Sequence, residues 1–88
     1  MSDEVDRVIS AEELEAKIKA GLGEDLELVQ AVDESDGCGA KFTITVVSNA
    51  FKGKNMLAQH RMINKLIAEE VKFIHALSYK TSVPESSI

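Results

Sequence analysis

The chain is 88 residues long, 44% hydrophobic and 28% charged, with a formal net charge of −5. Such a length supports one modest core rather than two independent domains, and the acidic balance speaks against general nucleic-acid binding, whose affinity comes from neutralising phosphates. No segment approaches the ~20 apolar residues that span a bilayer.

Aromatic residues make up 5% and tryptophan is absent, so the core is expected to draw on Ile, Leu, Val, Met and Ala, which suits helices packed on a small sheet. Met1 to Asp6 is acidic and carries neither the apolar run of a secretory signal nor the Arg- and Ser-rich character of a transit peptide. A single cysteine, Cys38, cannot form an intrachain disulfide, which fits a reducing compartment. The expected location is the cytoplasm, with the nucleus open as well. Charge is uneven: residues 1–36 hold twelve acids and three bases, a net of −9, whereas residues 37–88 hold seven bases and three acids, a net of +4. The second half can therefore meet an acidic partner.

Ser10-Ala11-Glu12-Glu13 has the form of a capping box, with Ile9 and Leu14 placed as a hydrophobic staple. Leu14, Ile18 and Leu22 follow at intervals of four and Gly23 can end the run, so the spacing predicts an amphipathic helix over 11–22. Leu26 to Val32 and Lys41 to Ser48 are β-prone and are predicted strands. Between them Asp33 to Ala40 is polar and glycine-bearing, short enough to join antiparallel neighbours, and places Cys38 in a loop expected to be flexible. A polar loop through Asn49 and Gly53 leads to a predicted helix from about Asn55 to Glu70, where Met56, Ile63, Ile67 and Val71 fall at helical spacing. Ile74 to Lys80 reads as a third strand, and a strand-helix-strand sequence favours a right-handed parallel return. The expected fold class is α/β (α+β), in α-β-β-α-β order, with a three-stranded mixed sheet and helices on one face. Residues 1–9 are expected to fray, 10–81 to form the domain, and 82–88 to be a flexible tail.

Three side chains are obvious metal-ligand or acid/base candidates: Cys38, His60 and His75. A closed zinc site draws four ligands from Cys and His, and this chain offers three at most with no Cys-x-x-Cys spacing, so a metal would need ligands from elsewhere. His60 lies on the apolar stripe of the second long helix and is expected to be partly buried and structural. Cys38 lies between Gly37 and Gly39, a context that fits a functional thiol and an incidental one equally. His75 falls near the start of the third strand, where alternation groups it with Leu77 and Tyr79 against Ile74, Ala76 and Ser78. Both sets hold apolar members, so its face stays open, and from the residue alone a structural role is favoured. No nucleophile elbow, P-loop or dinucleotide fingerprint is present, and Glu69-Glu70 reads as a helix-surface pair. A binding protein rather than an enzyme is expected, with no catalytic residue.

Val46-Val47-Ser48-Asn49-Ala50-Phe51-Lys52-Gly53-Lys54, then Gln59-His60-Arg61-Met62-Ile63-Asn64, Leu66-Ile67-Ala68-Glu69-Glu70 and Ile74-His75-Ala76-Leu77 together resemble the signature of the BolA family, over nearly the whole chain. The loop cysteine in Ser35-Asp36-Gly37-Cys38-Gly39 is similar to the BolA2-like branch. The resemblance implies a partner for monothiol glutaredoxins that shares a bridging [2Fe-2S] cluster and serves cytosolic iron-sulfur trafficking or iron homeostasis. It also implies that Cys38 and His75 are ligands only with the partner, glutaredoxin cysteine and glutathione holding the other iron. Mixed thiolate and imidazole ligation is chemically reasonable for such a cluster. Phe51, Gly53, Lys54 and Arg61 are expected on the partner surface, and His60 remains structural. Alone, the chain is expected to be a monomer without a cofactor. Gln59 departs from the family pattern, since many members have arginine beside the His-Arg pair.

A second reading is a nucleic-acid-binding or transcription-regulating module, because the element order also resembles a KH-type fold. That fold needs a Gly-x-x-Gly loop, and Gly53-Lys54-Asn55-Met56 lacks the second glycine. Lys52, Lys54, Arg61 and Lys65 could make a basic patch, or a solvated helix face that recognises protein. A third reading is a homodimer that pools Cys38 and His75 around zinc.

Overall fold

The computed structural model describes residues 8–36 and 39–84. Helix α1 spans Ala11–Leu22, as the spacing predicts. Ser10 caps it, its hydroxyl accepting from the Glu13 N–H at 3.1 Å, while Gly23 ends it at φ +58 with its N–H donating to the Lys19 carbonyl. Ile9 and Leu14 are both buried, as a staple requires. A 3₁₀ turn at Gly23–Asp25 leads into β1, Leu26–Asp33.

Strand β1 pairs antiparallel with β2, Lys41–Ser48, and β2 pairs in parallel with β3, Ala76–Ser82. The order β1-β2-β3 places β2 in the centre. In β2 the buried side chains alternate strictly: Phe42, Ile44, Val46 and Ser48 face the helices. Helix α2, Met56–Leu66, is capped by Asn55, whose Oδ1 accepts from the Ala58 N–H at 2.9 Å. The core joins Leu14, Ile18 and Leu22 of α1 to Phe42, Ile44 and Val46, and to Ile63 and Ile67. This is the expected α+β architecture.

The long second helix is interrupted. Ile67, at φ −116 and ψ 30, separates α2 from a single turn, α3, at Ala68–Val71. Neither glycine nor proline marks the break; packing holds it, since Ile67 is fully buried and Leu66 packs so closely on Gly21 of α1 that a Cβ there would meet Leu66 Cδ2 at 2.3 Å. Glu70 is not on the surface as its pairing with Glu69 suggests. It is 1% exposed and meets Lys17 Nζ at 3.0 Å.

Strand β3 begins two residues later than expected because Phe73 and Ile74 N–H groups still close turns onto the Glu70 and Val71 carbonyls. The packed part of the chain is also wider than 10–81. Ile9 is 4% exposed, Ser82 belongs to β3 and Pro84 is buried. Residues 1–7 and 85–88, expected to be frayed, lie outside the described residues.

Candidate functional site

The register Lys41↔Ala76 puts the entry of β2 beside the entry of β3. His75 precedes β3 instead of lying in it, and is exposed. Its backbone is nevertheless fixed, because the N–H groups of His75 and Ala76 both donate to the Ala40 carbonyl, at 2.8 and 3.1 Å. Gly39 packs directly on it: a Cβ at Gly39 would stand 3.0 Å from His75 Cβ, and Gly39 has φ +129. Any side chain there would be strained by the backbone, and its Cβ would press on His75 Cβ.

The stem carrying these residues is held on both sides. Glu34 N–H donates to the Lys41 carbonyl at 2.8 Å, Lys41 N–H donates to Ser35 Oγ at 3.0 Å, and the Asp36 and Gly39 backbones bridge each other. Ser35 also hydrogen-bonds the Asp33 carboxyl, which holds that acid below the usual carboxylate range. Cys38, with Gly37, lies outside the described residues. Among the described residues no three His, Cys, Asp or Glu side chains converge as a metal site.

The residues expected on a single partner surface are divided. Phe51 is fully buried, so it anchors the 3₁₀ turn Asn49–Phe51 in the core and offers nothing to a partner. Gly53, at φ +76, and Lys54 are exposed, but they precede α2 and adjoin the exit of β3. The six steps from Ala76 to Ser82 put that exit about 20 Å from the His75 end. Arg61 is exposed midway along α2 and, with Lys54, Leu57, Ala58, Met62 and Lys65, lines a groove of about 480 Å³.

From the exit of β3 a polar seam that the sequence did not reveal runs along α2. Gln59 is buried; its Nε2 donates to the Lys54 carbonyl at 2.8 Å and its Oε1 accepts from the Thr81 hydroxyl at 2.5 Å. His60 is half-buried and meets Tyr79 edge to face, with ring centroids 5.3 Å apart. The Tyr79 hydroxyl donates to Asn64 Oδ1, and burial pushes its pKa up to about 12. A parallel register was the missing signal for Gly39, since it aligns the residues before Lys41 with those before Ala76.

The sequence profile of BolA-like proteins matches residues 25–86. The chain belongs to the BolA-like family. Among its relatives, an uncharacterised bolA-like protein of Schizosaccharomyces pombe is 40% identical over 73 residues, which are 81% of this chain and 63% of the relative, so the chain spans less than two thirds of that protein. Protein BOLA2 of Arabidopsis thaliana is 42% identical over 73 residues, 83% of this chain and 76% of the relative, in agreement with the BolA2-like branch suggested by the loop cysteine. The crystal structure of a bol-like protein from Babesia bovis matches with a TM-score of 0.82 and 32% identity, covering 91% of each chain. The BolA-like fold is thereby the frame for both ends described above.

Proposed function

We propose that this BolA-like chain is a non-catalytic iron-sulfur adaptor that binds a monothiol glutaredoxin with glutathione and shares a [2Fe-2S] cluster with it, in cytosolic trafficking or iron regulation. The observation that carries this reading is the close packing of Gly39 on His75. It brings an exposed imidazole with a fixed backbone next to the residue that follows Cys38 in the chain. One nitrogen donor and one sulfur donor suit a group completed by another protein. They do not by themselves make a closed four-ligand site. When bound, such a cluster supplies one-electron chemistry, and imidazole in place of thiolate raises its potential. This chain's part is to supply His75, held before β3, and Cys38, which precedes Gly39 in sequence.

The test is anaerobic co-purification with a monothiol glutaredoxin and glutathione, followed by absorption spectroscopy and analysis of iron and acid-labile sulfide. Visible absorption with iron and sulfide in equal amounts, found in the mixed complex, is the expected result. A zinc-containing homodimer, or a glutaredoxin that binds its cluster identically without this chain, overturns it.

A further inference from the structure

The solvent side of α2 carries an arrangement that the His75 end does not use. From residue 37 to residue 68 the sequence contains no Asp or Glu. Within that run the groove is lined by three cations, Lys54, Arg61 and Lys65, and by the apolar side chains of Leu57, Ala58 and Met62. These three cations enter no ion pair among the described residues, in contrast to Lys17, Lys41 and Lys72. Leu57 is 60% exposed and neighbouring Met56 is 57% exposed, so apolar area remains in water beside these cations.

We infer that this groove is a docking surface for an acidic amphipathic helix of a protein partner. Apolar side chains spaced three and four apart on such a helix would cover Leu57 and Met62 and the small side chain of Ala58 between them. Carboxylates flanking them would reach Lys54, Arg61 and Lys65, and Arg61 can take a carboxylate in bidentate fashion. Nucleic acid uses only half of this chemistry: the lining holds no aromatic ring on which a base could stack, and its apolar side chains would gain nothing from phosphates. A second copy of the chain is also a poor occupant. Its acidic helix, α1, has already buried Leu14, Ile18 and Leu22 in its own core and keeps no large apolar side chain on its exposed face. The inference does not rest on the cluster reading, because the lining includes neither His75 nor Gly39: its Lys54 end adjoins Thr81, and Asn64, beside Lys65, meets Tyr79 midway along β3.

The experiment uses the isotopically labelled full chain and a synthetic helical peptide of about 15 residues, long enough to form three to four turns beside α2, with Leu on one face flanked by Glu. Amide signals from Lys54 to Lys65 are expected to shift, and those of Ala40 and His75 to stay. K54E/R61E is expected to weaken binding by about tenfold or more, as loss of two charge-assisted contacts implies. Leu57→Asn is expected to weaken it without altering its salt dependence. All three positions are exposed, so thermal melting reports whether each variant is folded. Equal affinity for a Glu-to-Gln peptide, or unchanged binding by the folded double variant, overturns the proposal. So does tighter binding of a single-stranded oligonucleotide to the same groove at physiological salt. Shifts along α2 on concentrating the protein alone would assign the groove to a second copy and overturn it too.

Discussion

Glu70, on the helical turn before β3, is 1% exposed and meets Lys17 Nζ of α1 at 3.0 Å. The Lys17 side chain is 45% exposed, so the pair is half solvated and weaker than a fully buried one. Removing only the cation still leaves a carboxylate in the core, and that asymmetry dominates the energetics. Lys17→Met is therefore expected to destabilise the chain by about 1–2 kcal/mol. K17M/E70Q should recover part of that loss, because no buried anion remains. Urea unfolding of these two variants and of Glu70→Gln checks this; a double variant whose loss equals the sum of the two single losses would show that the carboxylate is held by something other than Lys17.

Gln59 ties α2 to two separate pieces of chain, the Lys54 carbonyl and the Thr81 hydroxyl. Gln59→Ala removes both hydrogen bonds in a buried place, with an expected loss of about 2 kcal/mol. The loop at Gly53 and Lys54 should loosen with it. Thermal denaturation gives the loss, and amide hydrogen exchange at Lys54 and Asn55 gives the loosening.

Much of this architecture was legible from the sequence. Helix α1 and strand β2 have the boundaries that capping chemistry and β-branched residues imply, because both are decided locally. What escaped was decided by packing between elements. The break at Ile67 has no glycine or proline to announce it, and Glu70 faces inward because Lys17, 53 positions earlier, waits for it. Phe51 was misplaced for a related reason: it stands in a polar loop motif, yet the 3₁₀ turn at Asn49–Phe51 rotates it into the core. His75 was identifiable as a residue, but its exposure and its contact with Gly39 depend on the two-residue shift of β3.

Tyr79 is the only tyrosine, so its ionisation can be followed by phenolate absorbance without interference. Burial raises its pKa from 10.0 to about 12. The neutral form is thus favoured by folding: the stabilisation is fully present below about pH 10 and is lost as pH rises through about 12. The folded protein should titrate near 12 and the urea-unfolded protein near 10, with stability falling across that interval. Tyr79→Phe should flatten this part of the stability curve. A folded-state midpoint equal to that of the unfolded chain would show that water reaches the ring freely.

The ligand assignment makes its sharpest prediction at Gly39, which carries no donor of its own. A methyl at this position faces two penalties: φ is +129, and His75 Cβ would lie 3.0 Å away. Gly39→Ala should therefore strain the backbone at this position and shift His75. In complexes with the same monothiol glutaredoxin, His75→Ala is expected to abolish the shared cluster or leave it very labile. The imidazole starts from a backbone already pinned to the Ala40 carbonyl, so little further ordering is needed to use it. Cys38→Ala should change the spectrum and shorten the lifetime while the proteins still associate. Gly39→Ala should shorten the lifetime with both donors present, an effect expected only if the two act from neighbouring positions. His60→Ala serves as the control: loss of the Tyr79 contact should lower stability by about 1 kcal/mol and leave the cluster spectrum unchanged. Absorption, circular dichroism and decay rate for the four complexes check these outcomes together. A His75→Ala complex with wild-type spectrum and lifetime would remove His75 from the ligand set, and the same result for Gly39→Ala would show that His75 and the loop do not act together.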